Sequence, residues 1–243
     1  MKPSILRSQR AFMAATLSPR SFRRFASLSA SASNTNREGG ISMVQGASRG
    51  IGLEFASAKL IQEQYGSLNL LINSSGILSV PDVVQPETTL SKVQKPSLLL
   101  AYEVNAVGPI LVIKHMWPLL KVGGGSGTER DIAIVANLSA RVGSIGDNRL
   151  GGWHSYRSSK AALNQLTKSV SVEFARKKDP IVCLLLHPGT VNTDLSRPFQ
   201  GNVPEGKLFS KEFSVQKLLS IINNAKSHDN GKFFGWDGQE IPW

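Results

Sequence analysis

GASRGIGLEFASAKLIQEQYGSLNLLINSSG, residues 46–76, is the stretch that decides how this chain folds. It follows a short apolar run, ISMV (41–44), and opens with glycines at 46, 50 and 52. Glycines at this spacing, between a strand and a helical pattern, allow a tight turn and close backbone approach to a pyrophosphate. The free N–H groups of the helix that follows favour the negative charge. The stretch closes on LNLLIN (68–73), a nearly continuous apolar run of the kind that forms a strand buried on both faces. Only 20 residues separate Gly52 from Asn73. A dinucleotide fold normally places a second strand there, carrying the group that reads the adenosine ribose about 20 residues after the glycines. A further helix, a third strand and another helix normally follow. The spacing therefore predicts a sheet shortened on its adenosine side. Loss of the ribose carboxylate alone would cost about 1.5–3 kcal/mol of binding.

Beyond residue 76 the same alternation continues. SLLLAYEVNAVGPILVIKHMWPLL (97–120) predicts a long helix, bent or restarted near Pro109. IAIVANLS (132–139) and IVCLLLHPG (181–189) predict strands; residues 155–178 and 214–226 predict helices. KFFGWDGQEI (232–241) predicts a last short strand, and VGGGSGTER (122–130) a flexible loop. Apolar strands alternating with helices make an α/β domain, a single doubly wound parallel sheet with helices on both faces. Ligands of such sheets bind at the carboxyl ends of the strands.

With 243 residues, 41% of them hydrophobic, the chain can bury one sizeable core. Its net charge of +11 is unevenly spread. Residues 1–37 carry seven basic residues, eight serines and no acid, the composition of an organelle transit peptide. Plastid is favoured over mitochondrion by the serine content; a basic tail on a cytoplasmic protein is the alternative. The remaining 38–243 hold 21 basic and 17 acidic residues, with no basic stripe interleaved with aromatics, so nucleic acid is not an expected partner. The longest apolar run, PILVIKHMWPLL, contains Lys114, His115 and two prolines and reads as a buried helix, not a membrane span. Cys183 is the single cysteine and reads as an inert core thiol. His115, His154, His187 and His228 lack ligand spacing, so no metal is expected. For Trp153, Trp236 and Trp243, core cover is the simpler reading and a substrate mouth the other.

Tyr156 and Lys160, in YRSSK, lie one helical turn apart and share a helix face. A lysine ammonium beside a phenol favours the phenolate and lowers its pKa, which suits a proton donor and acceptor near neutral pH. With GASRGIG, NSSG (73–76), EVNAVGP, NLSA (137–140) and HPGTVNT (187–193) in this order, the chain resembles a short-chain dehydrogenase/reductase. The run SARVGSIGDNRLGGWHSYRSSKAALNQL resembles that family's C-factor-like branch.

The resemblance implies hydride transfer between NAD(P)(H) and a small-molecule carbonyl or alcohol. It implies Tyr156 as the proton donor and acceptor, Lys160 as its electrostatic partner and ribose anchor, and Asn105 as the holder of a relay water. Gly46, Ser48, Arg49, Gly50, Ile51 and Gly52 would cradle the pyrophosphate, with Arg49 leaning towards NADP over NAD. Asn73 and Gly76 would line the adenosine side; Pro188, Gly189, Val191 and Thr193 would meet the nicotinamide. The family's substrate-binding serine sits three residues before a glycine. Here that position, counted from Gly143, is Ala140, and Ser139 is the expected substitute, with Ser144 the other candidate. The resemblance also implies homo-oligomers or mixed oligomers through helices 97–120 and 155–178. The shortened adenosine side leaves a second reading, a non-catalytic partner subunit or a product without a function of its own.

Overall fold

The computed structural model describes residues 42–45, 67–81, 83–124 and 131–243. The predicted transit peptide and the 46–52 glycine loop lie outside the described residues, as does most of the loop predicted at 122–130.

Five of the apolar runs become parallel strands: β1 (Ser42–Gln45), β2 (Leu70–Asn73), β3 (Ala133–Leu138), β4 (Ile181–His187) and, after a short separate ribbon, β7 (Lys232–Gly235). They lie in the order β1-β2-β3-β4-β7. Among the described residues β1 is therefore an end strand, paired directly with the strand that leads to NSSG. The ribbon, β5 (Thr190–Val191) paired in parallel with β6 (Leu208–Phe209), has no apolar run long enough to announce it in the sequence.

Strand alternation sends side chains to two cores. Leu70, Ile72, Ile134, Ala136, Val182 and Leu184 face Val215, Leu218 and Ile222 of α4 (Lys211–Asn224). Leu71, Val135 and Cys183 face Ile113 and Leu120 of α2 (Gly108–Gly123) and Phe174 of α3 (His154–Lys177). Helices on both faces of a parallel sheet make the Rossmann-like arrangement expected. Cys183 is wholly buried, and burial pushes its thiol pKa up to about 12.

The helix predicted at 97–120 begins earlier, as α1 (Lys95–Tyr102), passes through a π turn at Glu103–Val107 and continues as α2. Pro109 explains the widened turn. It has no N–H to give the carbonyl four residues back, and its ring crowds that carbonyl. The helix also runs two residues into the predicted loop. Gly123 ends it against Leu68, where an added Cβ would fall 2.1 Å from the Leu68 carbonyl oxygen. The whole helical stretch Lys95–Gly123 is long and apolar enough to cross a membrane by length and composition alone, and only 28% of its most apolar window is buried. It is thus less covered than the sequence reading expects: Leu99, Tyr102, Val107 and Leu111 are exposed. Its far end is tied to the α3–β4 corner. The Trp117 indole donates to Asp179 Oδ2 at 2.8 Å, and Lys121 pairs with the same buried carboxylate at 3.1 Å.

Candidate active site

The carboxyl ends of β2, β3 and β4 converge on the first turns of α3, and a buried polar network fixes them there. Asn73 donates to Asn137 Oδ1 (2.8 Å), Asn137 to Thr167 Oγ1 (2.7 Å), and Thr167 to the Leu163 carbonyl (2.7 Å). This ladder joins β2, β3 and α3 through groups almost devoid of solvent contact. Asn73 thereby works as a strut inside the sheet. Beside it, the Ser74 N–H and hydroxyl both donate to the Gln45 carbonyl (3.0 and 2.7 Å), which fixes the end of β1 where the glycine loop departs.

Asn105 sits on the π turn with no solvent exposure. Its amide donates to the Ile77 carbonyl and to Ser159 Oγ (both 2.9 Å), and its Oδ1 accepts from the Ile77 N–H (2.7 Å). Both amide hydrogens and the side-chain carbonyl are engaged with protein, so the Asn105 side chain braces the segment after NSSG against α3. Ser159 passes the connection on, donating to the Tyr156 carbonyl at 2.9 Å.

Lys160 is buried, and its ammonium donates to the Leu138 carbonyl at 2.8 Å. It stands 6.0 Å from the centre of the Tyr156 ring. Burial lowers the Lys160 pKa to about 8 and raises that of Tyr156 to about 12. In the free chain, burial thus works against the phenolate expected from the spacing. Desolvation penalises each charged form, and it outweighs the attraction across that gap. Gly76 lets the backbone pass close to this pair: a Cβ there would crowd Lys160 Nζ at 3.3 Å and Asn105 Oδ1 at 3.4 Å.

Residues 55–203 match the family profile described as short chain dehydrogenase. The C-signal protein of Myxococcus xanthus is 32% identical over 178 residues, covering 73% of this chain and 94% of that protein. The chain belongs to the short-chain dehydrogenase family of oxidoreductases. A 1-hydroxy-2-glutathionyl-2-methyl-3-butene dehydrogenase of Rhodococcus is also 32% identical, over 77% of this chain and 74% of its own length. Among solved structures, an NADPH-bound carbonyl reductase from chicken fatty liver superposes with a TM-score of 0.70 at 27% identity, covering 84% of this chain and 98% of its own.

In this short-chain dehydrogenase the serine question has a structural answer. Ser139 is 4% exposed and gives its hydroxyl proton to Asn164 Oδ1 on α3 at 2.6 Å. In the free chain it serves the β3–α3 packing. Ser144, equally buried, accepts from the Asp147 N–H. Ala140 occupies the half-buried position between them.

At the end of β4, Pro188 accepts from the Ser214 hydroxyl (2.9 Å) and Val191 from that of Ser196 (2.6 Å). Gly189 has φ +76, and a Cβ there would strike the Phe209 ring at 2.5 Å. The turn expected to meet the nicotinamide is therefore set on an aromatic base, in which Phe209 and Trp236 lie 4.6 Å apart. Thr193 is fixed by the Ser196 hydroxyl, which accepts from its N–H at 3.2 Å. His187, just before the turn, is held neutral: burial, then the Arg141 guanidinium, bring its pKa down to about 4 against an opposing pull from Asp237.

Two residues at the site escape the sequence reading. Glu87, 3% exposed, sits at the amino end of α3 and accepts from the Ser155 N–H (3.1 Å) and the Ser155 hydroxyl. Burial pushes its pKa up, but the Ser155 hydroxyl, backbone N–H groups and His154 together hold it below the ordinary value. A carboxylate here also meets the positive end of the helix. Trp153, taken in the simpler sequence reading as core cover, stands beside the Tyr156 phenol: its ring lies 6.3 Å from that of Tyr156. No sequence spacing links residue 87 to residue 155, and nothing in a tryptophan three residues before a tyrosine marks it out.

Proposed function

We propose that this chain reduces a small-molecule carbonyl compound, or runs the reverse oxidation, with NADPH or NADH as partner. The observation that carries the reading is the Tyr156–Lys160 pair, held at the strand ends by Asn105, Ser159 and Glu87, with Gly76 close against the lysine ammonium. The nicotinamide end of a dinucleotide suits this site, since the Lys160 ammonium spends one hydrogen on the Leu138 carbonyl and has others to give. Lys160 and Gly76 would hold the ribose, and Pro188, Gly189, Val191 and Thr193 the amide; residues 46–52, outside the described part, would take the phosphates. When bound, the dinucleotide supplies the hydride. Tyr156 supplies the proton. With a pKa near 12 the phenol keeps its hydrogen at neutral pH, so it points a donor at a carbonyl oxygen that gains negative charge in the transition state. That protonation state suits reduction. NADPH is preferred in this reading, on Arg49 in the glycine loop and on the NADPH-bound relative.

Calorimetric titration of the full chain with NADPH and then NADH tests the proposal. The expected result is a dissociation constant on the order of micromolar for NADPH, about −8 kcal/mol, and weaker binding of NADH. A folded sample that releases no heat with either up to millimolar concentration overturns it. The reading extends to assembly. Exposed Leu99, Tyr102, Val107 and Leu111 on α1 and α2, with Val172 on α3, support a homo-oligomer through these helices. Sedimentation should show a dimer or larger species, and a monomer at micromolar concentration would refute it.

A further inference from the structure

The turn before Tyr156 is built more firmly than a connecting loop requires. Gly151 and Gly152 have φ +62 and +64, and Trp153 follows in the left-handed region at φ 49, ψ 43. That region is disfavoured for a residue with a Cβ and persists where surrounding contacts over-determine it, most often at ligand sites. Contacts on two sides do so here. The Trp153 N–H donates to the Glu87 carbonyl, whose own carboxylate grips Ser155. From the other side the Arg157 guanidinium donates to the carbonyls of Gly151 and Gly152, both at 3.0 Å.

The outcome is a fixed indole. It meets Tyr156 edge to face at 6.3 Å and 70°, and Phe199 at 5.0 Å and 56°. Phe199 belongs to the 3-10 segment Arg197–Asn202, in the stretch after Thr193. Trp153 thus bridges the reacting phenol and that segment, and all three rings are only half-buried. Arg197, which opens the segment, pairs with Asp194 at 2.6 Å.

We propose that Trp153 and Phe199 form an aromatic wall that selects carbonyl compounds bearing a flat unsaturated ring next to the C=O group. The proposal rests on Tyr156 as the group that meets the carbonyl oxygen. An indole and a phenyl ring tilted to each other favour a planar partner in offset or edge-to-face contact. A saturated ring of equal carbon count is thicker and lacks the quadrupole those geometries use. The immobilised turn lets the wall act without first being ordered by the ligand.

The test compares acetophenone with cyclohexyl methyl ketone on the full chain, by saturation-transfer NMR titration and by NADPH-dependent turnover. The wild type should prefer acetophenone about three- to tenfold in both readouts. Trp153→Asn removes the ring while keeping a residue that tolerates the left-handed backbone, and Phe199→Leu removes the second ring. Each should bring the preference to within about twofold. Equal binding of the two ketones by the wild type, binding of neither, or a preference untouched by both substitutions overturns the wall. Preferential binding of acetophenone that vanishes in the variants, with no turnover of either ketone, upholds the wall and removes the reductase reading instead.

Discussion

Tyr156→Phe is expected to lower turnover of an accepted ketone by about 10²–10⁴-fold, the range over which a positioned proton donor contributes. The substitution deletes one oxygen and keeps the ring, so the edge-to-face contact with Trp153 and the packing of α3 survive. The loss falls on turnover because, among the described residues, no other group is set to replace the donor. Ala140 has no hydroxyl, and the Ser139 proton is held by Asn164. Lys160, the other group with hydrogens to give, is directed at the Leu138 carbonyl. Cofactor affinity, read by the same calorimetry, should move by less than about threefold, since the phenol's task concerns the substrate oxygen. A variant that retains a tenth or more of the wild-type rate would show that another group delivers the proton.

The strands were legible because buried parallel strands are written as unbroken apolar runs. LLIN, AIVANL and IVCLLLH need no partner information to be recognised. The long helix was legible too, and so was its defect, since Pro109 must disturb the carbonyl ladder behind it. Its exposed stripe was not legible: hydrophobic residues write the same pattern whether a neighbour covers them or not. Resemblance supplied the roles at the site, and the folded chain shows what holds each residue there. Asn105 and Asn73 face partners 28 and 64 residues away in sequence, and only the folded chain brings those donors and acceptors together. The sign of the Tyr156 shift was missed for a related reason. Spacing shows that a lysine is near, but it does not show how much water both groups lose. Glu87 is the extreme case: a glutamate in a polar loop reads as a solvated charge, yet this one is buried against a helix end 68 residues on.

Lys160→Met is expected to stabilise the fold at neutral pH while removing most of the activity, and desolvation explains both effects. In the folded chain the Lys160 pKa is depressed from 10.5 to about 8. Below pH 8 both folded and unfolded chains carry the charge, and the folded one holds it in a buried site at a cost of about 3 kcal/mol. As pH rises from about 8 to 10.5 the folded lysine loses its proton first. The unfolded state then binds more protons, so stability climbs, and above 10.5 the penalty is gone. Methionine fills a similar volume without the charge. It also forfeits the bond to the Leu138 carbonyl, worth about 1 kcal/mol, so the net gain near pH 7 should be about 1–3 kcal/mol. Urea unfolding of both proteins at pH 7 and pH 10.5 reads this directly. The advantage of Lys160→Met should be present at the lower pH and absent, or reversed, at the higher. Equal stability at pH 7 would mean the ammonium is better solvated than its burial indicates. On the proposed reading, the stability given up goes with a positive charge held 6.0 Å from the Tyr156 ring, close against Gly76.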